Sequence, residues 1–457
     1  MIKKIHFIGI GGIGMSAIAI ILQKMDYHIT GSDVSSTYLQ NLQDLGIKVY
    51  DGHNADNIGD AQLVVRSTAI KDNNPEVIAA KQKNIPVISR GLMLAEIMYL
   101  FYAIAVTGTH GKTTTTSLLF EVFNYAKLNP SCIVGGKLLS TNTNAVLGDG
   151  KHFIIEADES DASFLHLFPI MAIVTNVDYD HMETYNHEES KLSDSFLQFL
   201  SHIPFYGCAV LCYEDQILRN MIPSLKCLTI TYGFNPEADI YATDIKAQAD
   251  SMSFLVHYQK YNLQFMVKTS MLGKHNVLNC LGVIAIALEH KIDVVTIVNA
   301  ILSFKGVARR TQYYSINSER GNLLIDDYGH HPVEIKTTLQ GIKTAHPDKN
   351  LLLIFQPHRY TRTRDLFKEF LDSITTADQV ILCSTYAASE QLIPRYDSLA
   401  LIEAIKAQGF NNITYADSLA DVPNILQELN VRDTVVVTMG AGDVTKLAGI
   451  IAQSYIL

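Results

Sequence analysis

Positive charge is in deficit. The 457-residue chain carries 36 lysines and arginines against 46 aspartates and glutamates, a formal charge of −10. Nothing global therefore draws it to nucleic acid or to an anionic membrane, and a polyanion site would need a local basic patch. Cysteine is scarce: of the six (Cys132, Cys208, Cys212, Cys227, Cys280, Cys383), only Cys208 and Cys212 are close. That spacing suits neither a disulfide framework nor a four-thiolate zinc site, and points to buried free thiols in a reducing cytosol. Repeats at a fixed period and low-complexity tracts are missing, which excludes solenoids and arrays. Long apolar runs are missing as well, with one deceptive exception. Lys3 and Lys4 precede an apolar stretch from Ile5 to Leu22 that superficially copies a signal peptide, but His6 and four glycines (Gly9, Gly11, Gly12, Gly14) interrupt it. It reads as strand, turn and buried helix, and the chain is expected to be soluble and cytoplasmic.

What is present is ordinary globular material, 48% hydrophobic and 18% charged, and its length suits about three domains. Short β-rich runs alternate with helix-like segments, so the fold class is α/β with parallel sheets. Residues 1–103 hold expected strands at 5–8, 48–50, 63–65 and 86–88. Residues 104–310 hold strands at 103–106, 153–155, 172–175, 209–211 and 228–231, an antiparallel stretch over 239–269, and helices at 276–289 and 294–303. Residues 311–457 hold strands at 323–325, 351–355, 379–383 and 434–439.

Two glycine-rich loops carry the first chemical signals. Gly9-x-Gly11-x-x-Gly14 follows a strand and opens a helix, and Asp33 lies 19 residues past Gly14. Glycines at that spacing let the backbone approach a diphosphate lodged on a helix N-terminus. The pattern specifies a diphosphate, so a redox dinucleotide and a nucleotide sugar both remain open. The second loop is Gly108-Thr109-His110-Gly111-Lys112-Thr113-Thr114. Val106 stands where a strict P-loop has its first glycine, yet the working parts remain: backbone N–H groups to cradle phosphates, the Lys112 ammonium for β and γ oxygens, and the Thr113 hydroxyl for Mg²⁺. An ATP site follows.

Further clusters follow successive strands, at the edge where sites of parallel sheets form. The run Glu156-Ala157-Asp158-Glu159-Ser160-Asp161 offers carboxylates for Mg²⁺, and Asn176 to His181 places an imidazole beside the same edge. His275 and Asn276 sit at a helix N-terminus, where they either meet a nucleotide or Asn276 simply caps the helix. In the third segment Asp326-Asp327-Tyr328-Gly329-His330-His331 and the arginines Arg359, Arg362 and Arg364 each follow a strand. Forked guanidiniums suit carboxylate or phosphate.

In this order the segments GIGGIGMS (9–16), GTHGKTTTT (108–116), EADESDASFL (156–165), TNVDYDHMETY (175–185), GKHNVLN (273–279), GVARR (306–310), DDYGHHP (326–332) and FQPHRYTRTRDLF (355–367) resemble the Mur ligases of peptidoglycan synthesis, over essentially the whole chain. The likeness is strongest to the alanine-adding branch. The resemblance implies a Rossmann-like domain for the UDP substrate, a central P-loop ATPase domain and a Rossmann-like C-terminal domain that brings the amino acid. It implies ATP with Mg²⁺ (Mn²⁺ as a substitute), and UDP-N-acetylmuramate and L-alanine as partners, joined through an acyl phosphate by a monomer or homodimer.

By the same resemblance Lys112, Glu156, His181 and His330 are catalytic, and Thr113, Glu156 and His181 are metal ligands. ATP falls to residues 108–114 with His275, Asn276, Arg310 and Asp327. The UDP substrate falls to Gly11, Gly12, Ile13, Gly14, Asp33, His53, Ser67, Thr68, Thr109, His110 and Ser160, and alanine to Tyr328, His330, Arg359 and Arg362. The chain departs from the pattern at Arg66, where a small residue is expected, and at Thr68, where serine is usual. Lys191 does not align with the carbamylated lysine of sister ligases. Three rivals compete: a ligase that recycles a ready-made tripeptide, an NAD-dependent oxidoreductase, and an ATP-gated module that forms no bond.

Overall fold

The computed structural model describes residues 2–34, 39–180, 182–314, 316 and 320–454. His181 lies outside them. Three sheets organise the chain. The first comprises β1 (Lys4–Ile8), β2 (His28–Asp33), β3 (Lys48–Asp51), β4 (Leu63–Arg66) and β5 (Val87–Ser89). These run parallel in the order β3-β2-β1-β4-β5. Strand order reverses between β1 and β4, and in open parallel sheets a ligand crevice is expected at such a switch point, where the chain leaves those two strands. The misleading apolar stretch resolves into β1, a glycine turn and the helix Ile13–Lys24, whose residues from Met15 to Leu22 are all buried. No helix among the described residues is long and apolar enough to cross a membrane.

The second sheet contains β6 (Tyr102–Thr107), β7 (Ser131–Leu138), β8 (Thr143–Val146), β9 (His152–Glu156), β10 (Met171–Val174), β11 (Cys208–Cys212), β12 (Leu228–Gly233), β13 (Ile240–Gln248), β14 (Ser251–Tyr258) and β15 (Leu263–Thr269). Their order is β15-β14-β13-β12-β11-β10-β6-β9-β7-β8. β6 has β9 on one side and β10 on the other, both parallel to it. That makes the end of β6 a second switch point. The connection from β13 to β14 is a two-residue turn, which only antiparallel neighbours permit, as the polar alternation over 239–269 suggests.

The third sheet contains β16 (Gln312–Tyr314), β17 (Leu323–Asp327), β18 (Asn350–Phe355), β19 (Gln379–Cys383), β20 (Ile413–Ala416) and β21 (Thr434–Met439), in the order β16-β17-β21-β18-β19-β20. All neighbours are parallel except the edge pair β16 and β17. Its central strands are buried on both faces. Ile325, Leu351, Leu353 and Val437 join one apolar cluster, and Leu324, Leu352, Ile354 and Val436 the other. The two-residue period of a strand thus feeds two cores, which is why these runs read as continuously apolar.

By backbone contacts the chain forms two compact units. One holds residues 1–243, 255–267 and 278–305, the other residues 244–254, 268–277 and 306–457. Five strands, β2, β7, β8, β16 and β20, go beyond the sequence expectations above.

Candidate active site

The loop between β6 and the helix Lys112–Tyr125 is forced into shape by two glycines in the left-handed region, Gly108 at φ +124° and Gly111 at φ +84°. At Gly108 a Cβ would collide with the Thr175 hydroxyl, so only glycine fits there. The chain leaving β10 braces the loop from outside. Asn176 Oδ1 accepts the His110 N–H at 2.9 Å, the Asn176 carbonyl accepts the Thr109 N–H at 3.0 Å, and the Thr175 hydroxyl donates to the His110 carbonyl at 2.6 Å. Asp178 completes the brace: its N–H donates to Thr109 Oγ1 at 2.8 Å, and its carboxylate lies 3.3 Å from His110 Nε2. Thr114 is half-buried in the first turn of the helix.

Lys112 is nearly buried, and its ammonium donates to the Gly108 carbonyl at 2.7 Å, to the Thr109 carbonyl at 3.0 Å and to Glu159 Oε1 at 2.9 Å. Burial would lower its pKa, but the carboxylates of Glu159, Glu156 and Asp158 prevail and raise it, so the charge is held. Glu159 itself is 3% exposed, and burial pushes its carboxyl up to about 7. This partner of Lys112 has no role in the sequence reading. The one signal for it is its place in the acidic run.

Thr113 and Glu156 lie together. The Thr113 hydroxyl donates to Glu156 Oε1 at 3.1 Å, and Glu156 Oε2 accepts the Gly135 N–H at 2.7 Å. A hydroxyl and a carboxylate are hard oxygen donors, the set a magnesium ion favours, so these residues fit the ion the sequence implies. Asp158 is turned away from them: its Oδ1 accepts from the N–H and the hydroxyl of Ser160, at 3.0 and 2.6 Å. Those bonds, with Lys112 and Arg90, hold its pKa down against the effect of burial.

The first glycine loop is built differently. The Gly11 N–H donates to Asp33 Oδ2 at 2.8 Å, and a Cβ on Gly11 would stand 2.9 Å from that oxygen. Gly12 is the N-cap of the helix Ile13–Lys24, and Ile13, its first residue, is 41% exposed. Ser67, just past β4, donates its N–H to the Ile8 carbonyl, and its Cβ lies 3.0 Å from where a side chain on Gly9 would begin. Ser67 thus closes the crevice beside the loop, with Thr68 exposed next to it. Arg66 is absorbed by a surface ion pair with Asp72 at 2.8 Å. His53, past β3, has its Nδ1 3.0 Å from Ser32 Oγ. Arg90, absent from the sequence reading, lies against Gly14 and reaches Ser163 at 2.9 Å and Asp161 at 3.1 Å. A lone arginine 71 positions from its partner leaves no mark in a one-dimensional pattern.

In the second compact unit, Asp327 is buried at the end of β17. It accepts the Thr311 N–H at 2.7 Å and the Gly329 N–H at 2.8 Å. The Arg309 and Arg310 guanidiniums lie 4.8 and 5.3 Å from the Tyr328 ring centre. His330 Nδ1 lies 3.2 Å from the Tyr328 carbonyl and 3.5 Å from Glu334. Past β18, Arg359 is held at φ +71° with its N–H on the Tyr386 carbonyl, and Arg362 Nη1 lies 3.5 Å from His358 Nδ1. The rings of His330 and His358 are 6.1 Å apart, which brings the two loops of the expected alanine pocket together. Burial, with Arg362 and Arg359, lowers the His358 pKa to about 4, so the ring is neutral. His331 caps the helix Pro332–Ala345 in a capping box with Glu334. The Asn276 amide donates to the Leu272 carbonyl at 2.7 Å, and burial lowers the His275 pKa to about 4.

Three family models match along the chain: the Mur ligase family catalytic domain at residues 4–102, the Mur ligase middle domain at 106–287 and the Mur ligase glutamate ligase domain at 309–442. The chain belongs to the Mur ligase family. It is 47% identical to a UDP-N-acetylmuramate–L-alanine ligase of Neisseria gonorrhoeae, across 98% of this chain and 97% of that one. It resembles the crystal structure of a UDP-N-acetylmuramate–alanine ligase from Thermotoga maritima with a TM-score of 0.85 at 28% identity, covering 99% of each chain. A murein peptide ligase from Psychrobacter arcticus shares the fold at a TM-score of 0.71 and 23% identity, over 99% of this chain and 98% of that one.

Proposed function

We propose that this chain joins L-alanine to UDP-N-acetylmuramate with cleavage of ATP, in peptidoglycan precursor synthesis, acting in the cytoplasm as a monomer or homodimer. The chemistry rests on one observation: a charged lysine, a threonine hydroxyl and a carboxylate meet where β6 gives way to its helix. The choice of substrates rests on the relatives, near-identical in length and almost half identical in sequence.

In this reading the muramoyl carboxylate attacks the γ-phosphorus of ATP, ADP departs and an acyl phosphate forms. Lys112 gives up bonds to its own loop and to Glu159 in order to balance charge on the transferring phosphoryl group. Thr113 and Glu156 would hold Mg²⁺ (or Mn²⁺), which supplies further charge neutralisation when bound. His181 is assigned to a second metal position from the family resemblance. The alanine amine then attacks the acyl carbon, and His330 accepts a proton from the nitrogen. Its Nδ1 faces the Tyr328 carbonyl oxygen, an acceptor, so Nδ1 carries the proton of the neutral ring. Collapse of the tetrahedral adduct expels phosphate and leaves the amide. Arg359 and Arg362 clamp the alanine carboxylate beside Tyr328, while Asp327, Arg310, His275 and Asn276 serve the nucleotide.

The experiment is phosphate release with ATP, UDP-N-acetylmuramate and each of L-alanine, glycine and L-serine. Release that requires both the sugar nucleotide and an amino acid, with L-alanine fastest, supports the reading. Release without the sugar nucleotide, or a change in NADH absorbance, contradicts it.

A further inference from the structure

Beneath the first glycine loop sits a buried carboxylate that the reaction does not call for. Glu76, in the first turn of the helix Pro75–Gln82, has no exposed surface. Burying an ionised carboxylate is strongly unfavourable unless its lone pairs are met. Here three hydrogen-bond contacts and one longer approach by an imidazole surround it. Oε1 accepts from the Asn57 amide at 2.7 Å and lies 3.7 Å from His6 Nε2. Oε2 accepts from the Ser32 hydroxyl at 2.6 Å and lies 3.1 Å from His53 Nδ1. Burial would raise the Glu76 pKa, but His6, Ser32 and Asn57 together prevail and lower it.

One of those partners, Ser32, adjoins the first glycine loop, since its carbonyl accepts the Gly9 N–H at 2.8 Å, and another, His53, is partly exposed. Ser32 directly precedes Asp33, whose carboxylate fixes Gly11, and His53 follows β3 with its side chain 16% exposed. The protons can be counted. Ser32 has a single O–H, and it is spent on Glu76. The approach of His53 Nδ1 to both Ser32 Oγ (3.0 Å) and Glu76 is therefore a hydrogen bond only if Nδ1 carries the proton. In the neutral ring Nε2 is then the acceptor, left for whatever enters the crevice.

We propose that Glu76 is a positioning residue for the nucleotide sugar: it locks His53 in the Nδ1-protonated form, so that Nε2 accepts from a ribose hydroxyl or the imide N–H of the uridine half. This rests on the reading that His53 meets the UDP substrate. Nitrogen-15 imidazole spectra of the full enzyme test the lock directly. The neutral His53 ring is expected to show Nδ1 protonated, and its Nε2 signal to move on addition of UDP. A ring protonated at Nε2 instead would overturn the proposal, whatever any variant does.

Kinetics test the consequence. Glu76→Met removes both acceptors, and it is expected to raise KM for UDP-N-acetylmuramate about tenfold, the worth of one oriented hydrogen bond, with kcat and KM for ATP unchanged. Glu76→Gln, which keeps a carbonyl acceptor, restores most of that affinity. His53→Ala shows a similar rise, and the double variant rises no further. Full additivity in the double variant, or a His53→Ala effect with none from Glu76→Met, would overturn the positioning role. An unchanged KM in His53→Ala would instead remove the premise, and the spectra would still report the lock.

Discussion

The two glycine loops of the first compact unit begin alike and end differently. Each leaves a central parallel strand at a switch point and opens a helix, so each presents backbone N–H groups to an anion. In the first, the residue that settles on the loop is an acid: Asp33 takes the Gly11 N–H, and no lysine follows the last glycine. In the second, Lys112 and Thr113 follow Gly111 and face Glu159 and Glu156. The first arrangement can hold a nucleotide, but residues 9–14 carry no lysine or arginine, and the cation beside them, Arg90, is held by Asp161 and Ser163 rather than set to neutralise a phosphoryl group in motion. The second is charged and braced for that purpose. In the proposed function, loop shape brings phosphate in, and the side chains after the last glycine decide whether it is bound or transferred.

Lys112 separates the two loops most sharply. Replacement by alanine is expected to lower kcat at least about a thousandfold through lost stabilisation of the transferring phosphoryl group, while calorimetry shows UDP-N-acetylmuramate still binding. Near-normal phosphate release would make the two loops equivalent. Glu156→Gln is expected to cost about a hundredfold in kcat and to raise the Mg²⁺ concentration needed for half-maximal rate; EDTA should stop the unmodified enzyme altogether. A rate indifferent to chelation would remove the metal from the second loop.

A perturbation at the far end of β9 sets a scale for effects outside both loops. His152 is buried against Tyr102, Phe123 and His290, and burial lowers its pKa to about 4. Its unfolded value is near 6.5, so below that pH the unfolded chain binds the proton more readily than the folded one. The stability its neutral ring contributes is complete above pH 6.5 and is lost as pH falls toward 4, by about 2 kcal/mol at pH 5. His152→Phe should flatten the fall in Tm between pH 7 and pH 5 and leave kcat at pH 7 unchanged. An equally steep fall in the variant would refute that assignment. The smallest effect is expected at Gly11→Ala, whose methyl would press on Asp33. An overpacking cost of this kind corresponds to a rise of about tenfold in KM for UDP-N-acetylmuramate, with KM for ATP unmoved. A rise in KM for ATP would show that the loops do not divide their substrates.

Much of this division is legible in the residues. Both glycine loops, the acidic run after β9 and the histidine and arginine turns after β17 and β18 are contiguous in sequence, and strand ends in parallel sheets are where such clusters become sites. What escaped is non-local. Glu159 is one carboxylate among four in its run, and only the folded chain shows that it faces Lys112. Glu76 and Arg90 act on residues dozens of positions away. The strand His28–Asp33 (HITGSD) is too polar to show an apolar run, yet Gly31 is required where a Cβ would press on Ile10 and the Phe7 carbonyl. The β7 and β8 pair carries Gly135 and Gly136 and a register shift, and β16 is a three-residue edge strand. Each is too short or irregular for a periodic signal.

In the proposed reaction the muramoyl carboxylate is phosphorylated before the amine attacks. UDP-N-acetylmuramate labelled with heavy oxygen in that carboxylate tests it most directly, with the released phosphate read by mass spectrometry after turnover with ATP and L-alanine. One labelled oxygen is expected in each phosphate, carried over when the acyl phosphate is cleaved at carbon. Phosphate without label, formed while the amide accumulates, would contradict it.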